Sequence, residues 1–465
     1  MATDAGFVHP YIPNAAPVPR RKILDVLGLA DADTLYDAIP EELRLRRPLD
    51  LPAPIRSEQE LRRHIEGILA RNAHCGSHLS FLGGGCWQHY VPAVCDEIAG
   101  RGEFLTAYGA WPYSDHGKYQ AMFEYQSLLG ELVGMEVVTT PTYDAGCATG
   151  SALLMACRLT GRSEILVAGT LSLERSSQLR GFTKAAAEVS MISYDSATGT
   201  MDLNALEALL SDDTAAVYFE VPSYLGTLEG KARTIAELAH RRGALVVVGV
   251  DPSSLGVLAP PSAYGADIVV GELQPLGMHM LGGGGLAGFI ACPDDPVMVA
   301  ELPTYLISLV RSEEGNGFGF GVSTMERTSY DKREAATDYY GTTQWLWGIV
   351  AGVYLSLLGP HGMRELGLGI VQRSQYAADR LGRIPGVSAP HLAAPFFKEF
   401  VVDFTGTGRT AAEINRHLLR RAIFGGKPLR REFPELGESA LYCVTELHRA
   451  EDIERLASAV EEAIR

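Results

Sequence analysis

The sequence predicts an α/β protein: a large domain on a mainly parallel sheet, followed by a smaller α+β domain at the carboxyl end. Three observations lead there. Between residues 148 and 292, short β-branched runs alternate with longer amphipathic patterns, as expected of strands joined by crossover helices. The strands of that stretch, Leu245–Val250 (LVVVGV) above all, are apolar at consecutive positions, which suits a parallel sheet covered on both faces. Beyond residue 331 the order changes to long helices and isolated strands, a pattern for a compact second domain.

Taken in order, residues 1–60 are proline-rich with two short helical patterns, Arg21–Leu27 and Ala32–Ile39. An arm of this kind has little core of its own and is expected to lie on a neighbouring surface. Residues 61–102 read as helical, interrupted by the glycine turn Ser80–Gly85 (SFLGGG). Tyr119–Gly134 is an amphipathic helix that a glycine ends. Strands follow at 164–169, 189–193, 215–221, 245–250, 267–270 and 286–292, with helices near 148–160, 174–187, 202–211 and 231–242. The glycine- and Ser/Thr-rich segment 303–331 has no clear period and reads as a long loop. Residues 338–465 then give two long helices, a strand at 399–404, a helix, a strand at 441–446 and a last helix, and the domain divisions are set at 1–60, 61–330 and 331–465.

Composition narrows the function classes. The chain has 465 residues, 46% of them apolar and 21% charged, ordinary values for a globular protein with one large core and one smaller one. A formal charge of −16 argues against nucleic acid or an anionic membrane as partner. Seven cysteines without C-x-x-C spacing, most in apolar contexts, fit a reducing compartment. The amino-terminal MATDAGFVHPYIPN has no basic region followed by an apolar run, and Trp345–Leu358 is short for a bilayer span. A cytoplasmic protein is expected. His74 and His78, four apart around Cys75, are read as helix-surface residues rather than metal ligands.

Several stretches resemble subunit 1, the amino-terminal half, of the glycine cleavage system P-protein, a glycine decarboxylase. They are YIPN (Tyr11–Asn14), IPEELRL (Ile39–Leu45), RPLDLP (Arg47–Pro52), SFLGGG…HYVPA (Ser80–Ala93), FLTAY (Phe104–Tyr108) and FEYQ (Phe123–Gln126). DPSSLGVLAPPSAYGADIVVGE (Asp251–Glu272), FFKEFVV (Phe396–Val402), GGKPL (Gly425–Leu429) and FPELGESALYCVTE (Phe433–Glu446) continue in the family's order. The resemblance implies a fold-type I transferase architecture dependent on pyridoxal phosphate (PLP). It implies two homologous halves, of which one holds the Schiff-base lysine. Gap-free alignment of Gly265–Ala291 on the family's GAD…HKT…GGGG puts Gln274 at the histidine and Pro275 at the lysine. Proline has no amine and forms no Schiff base. Catalytic residues are therefore expected in a homologous subunit 2 that carries PLP, with two copies of each chain and the lipoyl H-protein as further partner.

The candidate site residues follow. Asp251, delivered by its strand to the carboxyl edge of the sheet, is either a vestigial partner of the PLP pyridinium nitrogen or a structural acid. Gly282, Gly283 and Gly284, with Gly285, are either a phosphate nest or a flexible turn. Asp144, after Tyr143, is read as a helix cap in preference to an anion site at the helix start; Ser223 is read as a turn residue and His279 as a surface or interface residue in preference to a base. The loop 106–117 (TAYGAWPYSDHG) departs from the family's TAYTPYQPEISQG. Its Tyr108, Trp111, Tyr113, Asp115, His116 and Gly117 are expected to contact the partner's active site, as is Thr337 in the altered loop 325–339. These departures also suggest an alternative: a P-protein-like pair acting on another amino acid or imine, or a scaffold that keeps the fold without chemistry.

Overall fold

The computed structural model describes residues 8, 10–45, 47, 49–105, 116–323, 325–336, 340 and 343–465. Residues 1–73 form a separate compact unit. Within it, helix α1 (Pro17–Leu27) opens on a proline, whose missing N–H costs nothing in a first turn, and closes on the left-handed Gly28. Helix α2 (Glu58–Leu69) is capped by Ser57, whose hydroxyl accepts from the Glu60 amide at 3.4 Å.

Residues 74–465 open with strand β1 (Leu79–Ser80), helices α3 (Ala93–Ala99) and α4 (His116–Val133), and strand β2 (Val137–Val138). The alternating region supplies α5 (Ala145–Thr160), β3 (Glu164–Ala168), α6 (Leu173–Thr183), β4 (Glu188–Ile192), α7 (Leu203–Leu209) and β5 (Thr214–Val221). It continues with α8 (Ala232–Arg241), β6 (Leu245–Val250), β7 (Ile268–Glu272), β8 (Gly288–Cys292) and α9 (Pro296–Val299). A seven-stranded sheet results, in the order β2-β8-β7-β6-β5-β3-β4. Neighbours from β7 to β4 are parallel, whereas β8 runs antiparallel to both β7 and β2.

The period of two along β6 splits the core. Val246 and Val248 pack with Tyr125 and Leu129 of α4 and Ile235 of α8, while Val247 packs with Ala152 and Leu153 of α5. Each fully buried valine contributes about 1.5–3 kcal/mol, so an Asp at Val247 would unfold this layer. Helix α5 rides close on its neighbour because Gly150 lacks a side chain: a Cβ there would collide with the Phe182 ring. Its ends are set locally, by the Asp144 carboxylate accepting from Cys147 N at 2.7 Å and by left-handed Gly161 (φ 67°).

Next come strands β9 (Ile307–Arg311) and β10 (Phe318–Val322) and helix α10 (Trp345–Gly382). They are followed by β11 (Glu399–Asp403), α11 (Ala411–Arg420), β12 (Ile423–Phe424), β13 (Lys427–Pro428), β14 (Ser439–Cys443) and α12 (Ala450–Ile464). An antiparallel sheet, β11-β14-β13, buries Phe400, Val402 and Tyr442 against Ile414 and Leu418 of α11, Leu456 of α12 and Leu381 of α10. Thr410 and Glu413 form a reciprocal capping box at the start of α11.

Four expectations are corrected. The segment 303–331 is not a continuous loop: β9 and β10 pair as a hairpin, which the glycines of GFGFGV conceal because glycine carries no strand pattern. The helical pattern of 61–102 holds at α2 and α3, with β1 and loops between them. His74 and His78 stand in a turn, not on a helix; Ser77 Oγ lies 2.9 Å from His78 Nδ1, and the His78 ring stacks on Phe424 at 5.0 Å. Among the described residues no cluster of metal-ligating side chains is found. The two long carboxyl-domain helices are runs of one element, α10, broken at Gly359 (φ 58°) before Pro360. Its length and apolarity would allow a membrane crossing, yet Ile349, Val350 and Tyr354 are buried in the core with α4.

Candidate active-site cleft

Parallel strands deliver their last residues to one edge, and here three neighbouring strands each deliver an acid: Glu220 from β5, Asp251 after β6 and Glu272 at the end of β7. They line one cavity with Trp87, Thr149, Arg175, Tyr218, Lys398 and others. Each acid is already engaged. Glu220 accepts from Tyr218 Oη at 2.7 Å and faces Arg175 Nε at 3.6 Å; Arg175 Nη1 also donates to Thr149 Oγ1 at 3.4 Å.

Asp251 is the buried half of an ion pair. Its Oδ2 lies 2.5 Å from Lys398 Nζ, and its Oδ1 accepts from Ser253 N at 3.0 Å and Ser253 Oγ at 2.7 Å. Burial alone would raise this carboxyl; the adjacent ammonium and the Ser253 hydroxyl hold it below its ordinary value. Lys398 precedes β11 and is 1% exposed. Its ammonium stands 3.6 Å over the Trp87 ring and 3.1 Å from His89 Nε2. An ammonium has only donors, so His89 Nε2 accepts and Nδ1–H donates to Glu446 Oε2 at 2.9 Å. Against the upward push of burial, the His89 ring and the Tyr90 N–H hold the Glu446 carboxyl below its ordinary value.

Glu272 occupies the amino end of α5. Its Oε2 accepts from Ala145 N at 3.1 Å, and its Oε1 accepts from Ala287 N at 2.7 Å and Gln274 N at 3.2 Å. Burial outweighs these three donors and pushes the carboxyl up to about 8. Glu399, which accepts from Gly84 N at 2.6 Å, is likewise pushed by burial to about 7.

Pro275 is buried in the turn that follows β7. Beside it Gln274 clamps the Trp87 backbone, accepting from Trp87 N at 3.0 Å and donating to Trp87 O at 2.9 Å. Gly282–Gly284 form a separate turn that does not line the Asp251 cavity. His279 is exposed, its Nε2 2.9 Å from Asp96 Oδ1, and Ser223 makes a turn contact with Thr227 Oγ1 at 2.7 Å. His116 opens α4 with Gly117 exposed after it, while Tyr108, Trp111, Tyr113, Asp115 and Thr337 lie outside the described residues.

Sequence reasoning missed Lys398, Glu272, Arg175 and Glu220. Two signals were there to use: a glutamate closing the apolar strand IVVGE, and a lysine between Phe397 and the strand EFVVD.

The residues as they stand do not fit pyridoxal phosphate. The aspartate that would pair with a ring nitrogen holds Lys398, and an amide at the helix end that would face a phosphate donates to Glu272. The free space is about 80 Å³, far below the roughly 300–1,000 Å³ of small-molecule sites.

Comparison with known proteins sets this cleft in a lineage. The family model for the glycine cleavage system P-protein matches residues 9–460. A probable glycine dehydrogenase (decarboxylating) subunit 1 of Carboxydothermus hydrogenoformans is 38% identical over 453 residues, 97% of this chain and 99% of that one. Its counterpart in Chlorobium phaeobacteroides is 40% identical over 409 residues, covering 87% and 90%. The crystal structure of an inhibitor-bound glycine decarboxylase (P-protein) superposes with a TM-score of 0.86 at 34% identity, covering 98% of this chain and all of that one. The sphingosine-1-phosphate lyase of Burkholderia pseudomallei, 14% identical with a TM-score of 0.64 and coverage of 92% and 94%, shares the fold alone, that of fold-type I PLP enzymes. By model, by sequence and by structure, this chain belongs to the glycine cleavage system P-protein family.

Proposed function

We propose that the chain is the lysine-lacking subunit 1 of a two-chain glycine dehydrogenase (decarboxylating, aminomethyl-transferring), supporting the active site of a homologous subunit 2 that holds the PLP. One observation carries the reading: the turn after β7 holds Pro275, which the resemblance aligns with the family's lysine, and the cleft beside it is filled by this chain's own side chains. The naming of its relatives as subunit 1 supports a subunit 2 partner. Bound in that partner, PLP supplies the electron sink for loss of the glycine carboxyl. This chain contributes contact and shape, through Tyr108, Trp111, Tyr113, Asp115, His116, Gly117 and Thr337, in an assembly of two copies of each chain served by a lipoyl H-protein. The large domain is taken as 61–330 and the carboxyl-terminal domain as 331–465, with 1–60 as an arm. The seven unpaired cysteines favour a cytosolic setting.

The test is reconstitution. The chain co-expressed with subunit 2 should exchange glycine's carboxyl with bicarbonate, and neither chain alone should match it. The departures at 106–117 favour a second reading, a pair recruited to another amine substrate. Exchange on glycine as fast as in an ordinary P-protein would eliminate that alternative; none on glycine but turnover of another amine would establish it.

A further inference from the structure

The cleft holds a buried ammonium and a buried carboxyl at the carboxyl edge of the sheet, both built into the chain. The cation is the Lys398 ammonium, on Asp251 at 2.5 Å. Its backbone is left-handed (φ 49°) without being glycine, a conformation that persists only where surroundings over-determine it. Its surroundings are Asp251, Ser253 Oγ at 3.5 Å, His89 at 3.1 Å and the Trp87 ring at 3.6 Å, itself held by Gln274. The acid is Glu272, whose two oxygens accept three backbone N–H groups, one at the start of α5.

The contacts also join the two sheets. Lys398 immediately precedes β11 and Glu399 opens it, yet they bind Asp251 after β6 and Gly84 N respectively. Phe397 N donates to Gly226 O at 3.1 Å, where a Cβ on Gly226 would strike the Glu399 backbone. Glu446, just past β14, takes His89 and Tyr90 N.

We infer that the Lys398 ammonium and the Glu272 carboxyl replace the ring cation and the phosphate of a bound pyridine phosphate. They close this cleft from within and latch the three-stranded sheet to the seven-stranded sheet as one fixed body. The latch keeps pyridine phosphates out of this chain and holds a constant surface for whatever binds it. The inference goes beyond the subunit reading and does not need it. It is tested on the full chain alone, whereas that reading is tested on the assembled pair.

Three variants decide it: Lys398→Ala, Asp251→Asn and the double variant, compared by melting temperature and by amide hydrogen exchange across residues 83–90 and 396–403. Pyridoxamine phosphate is the ligand probe, because its amine cannot form Schiff bases with surface lysines. The wild-type chain should show no melting shift with millimolar probe. Each single variant should melt lower, and the double variant should recover at least half of the larger loss, since neither buried charge is then alone. Exchange in both segments should rise at least tenfold in the double variant. Should Lys398→Ala fail to fold, Lys398→Met with Asp251→Asn keeps the stem and buries no charge, and its exchange is read in the same way. Stoichiometric uptake of the probe by wild type, strictly additive losses, or unchanged exchange in the double variant would each overturn the latch.

Discussion

Replacing Glu272 by glutamine should flatten the pH dependence of this protein's stability. Burial raises the Glu272 carboxyl from 4.5 to about 8 in the folded chain. A raised folded value means stability that is full below 4.5 and is lost as pH climbs through about 8. At about 1.4 kcal/mol per pH unit, that interval corresponds to about 5 kcal/mol at most. Glutamine copies the protonated acid in shape and stays neutral throughout. It keeps one carbonyl acceptor but turns N–H donors toward backbone N–H groups at Ala145 or Ala287, a cost of about 1–3 kcal/mol. Wild type should therefore lead by about 1–3 kcal/mol below about pH 4.5, the two should cross between about pH 5 and about pH 7, and the variant should lead by about 2–4 kcal/mol above about pH 8. Glu399, raised to about 7, titrates equally in both, so the difference isolates Glu272. Urea unfolding at several values between about pH 5 and about pH 9 measures it. A variant deficit that grows with pH would show that Glu272 serves as an ionised anchor and refute the reasoning; parallel curves would refute it too.

The purified chain treated with PLP and then borohydride should yield no stable adduct in the large domain, since Pro275 offers no amine; mass mapping of a stoichiometric adduct there would contradict the subunit reading. Light scattering on the co-expressed pair should give a hetero-oligomer with two copies of each chain, and a stable monomer indifferent to subunit 2 would count against it. His116→Ala or Trp111→Ala should lower turnover of the assembled pair tenfold or more, about 1.4 kcal/mol in barrier, without dissociating it. Weaker assembly with unchanged turnover per complex would assign that loop to packing instead.

Much of the scaffold was legible because it rests on local patterns. Val246–Val250 of β6 announces a strand covered on both faces, and Asp144 before α5 announces a cap. The hairpin β9–β10 was not legible, since alternate glycines erase the period on which strand recognition depends. Pro275 shows that the turn after β7 offers no amine. What fills the cleft could not be read, because Lys398 lies 147 residues from Asp251 and no local pattern encodes a pairing across that distance.

The same distance explains why the pairing is needed. Asp251 is fixed at its strand end by Ser253, and with no cation beside it a buried carboxylate would cost several kcal/mol or take up a proton. A bound pyridinium would answer that charge from outside; Lys398 answers it from within. The cation must come from a segment free to lie over the end of the sheet, and the left-handed turn before β11 supplies one. Once Lys398 is in place, Trp87 packs on its ammonium and Gln274 fixes Trp87, so the residue beside Pro275 supports the cation in the cleft. Either partner alone leaves an unpaired charge at the carboxyl edge of β6, so the two stand or fall together.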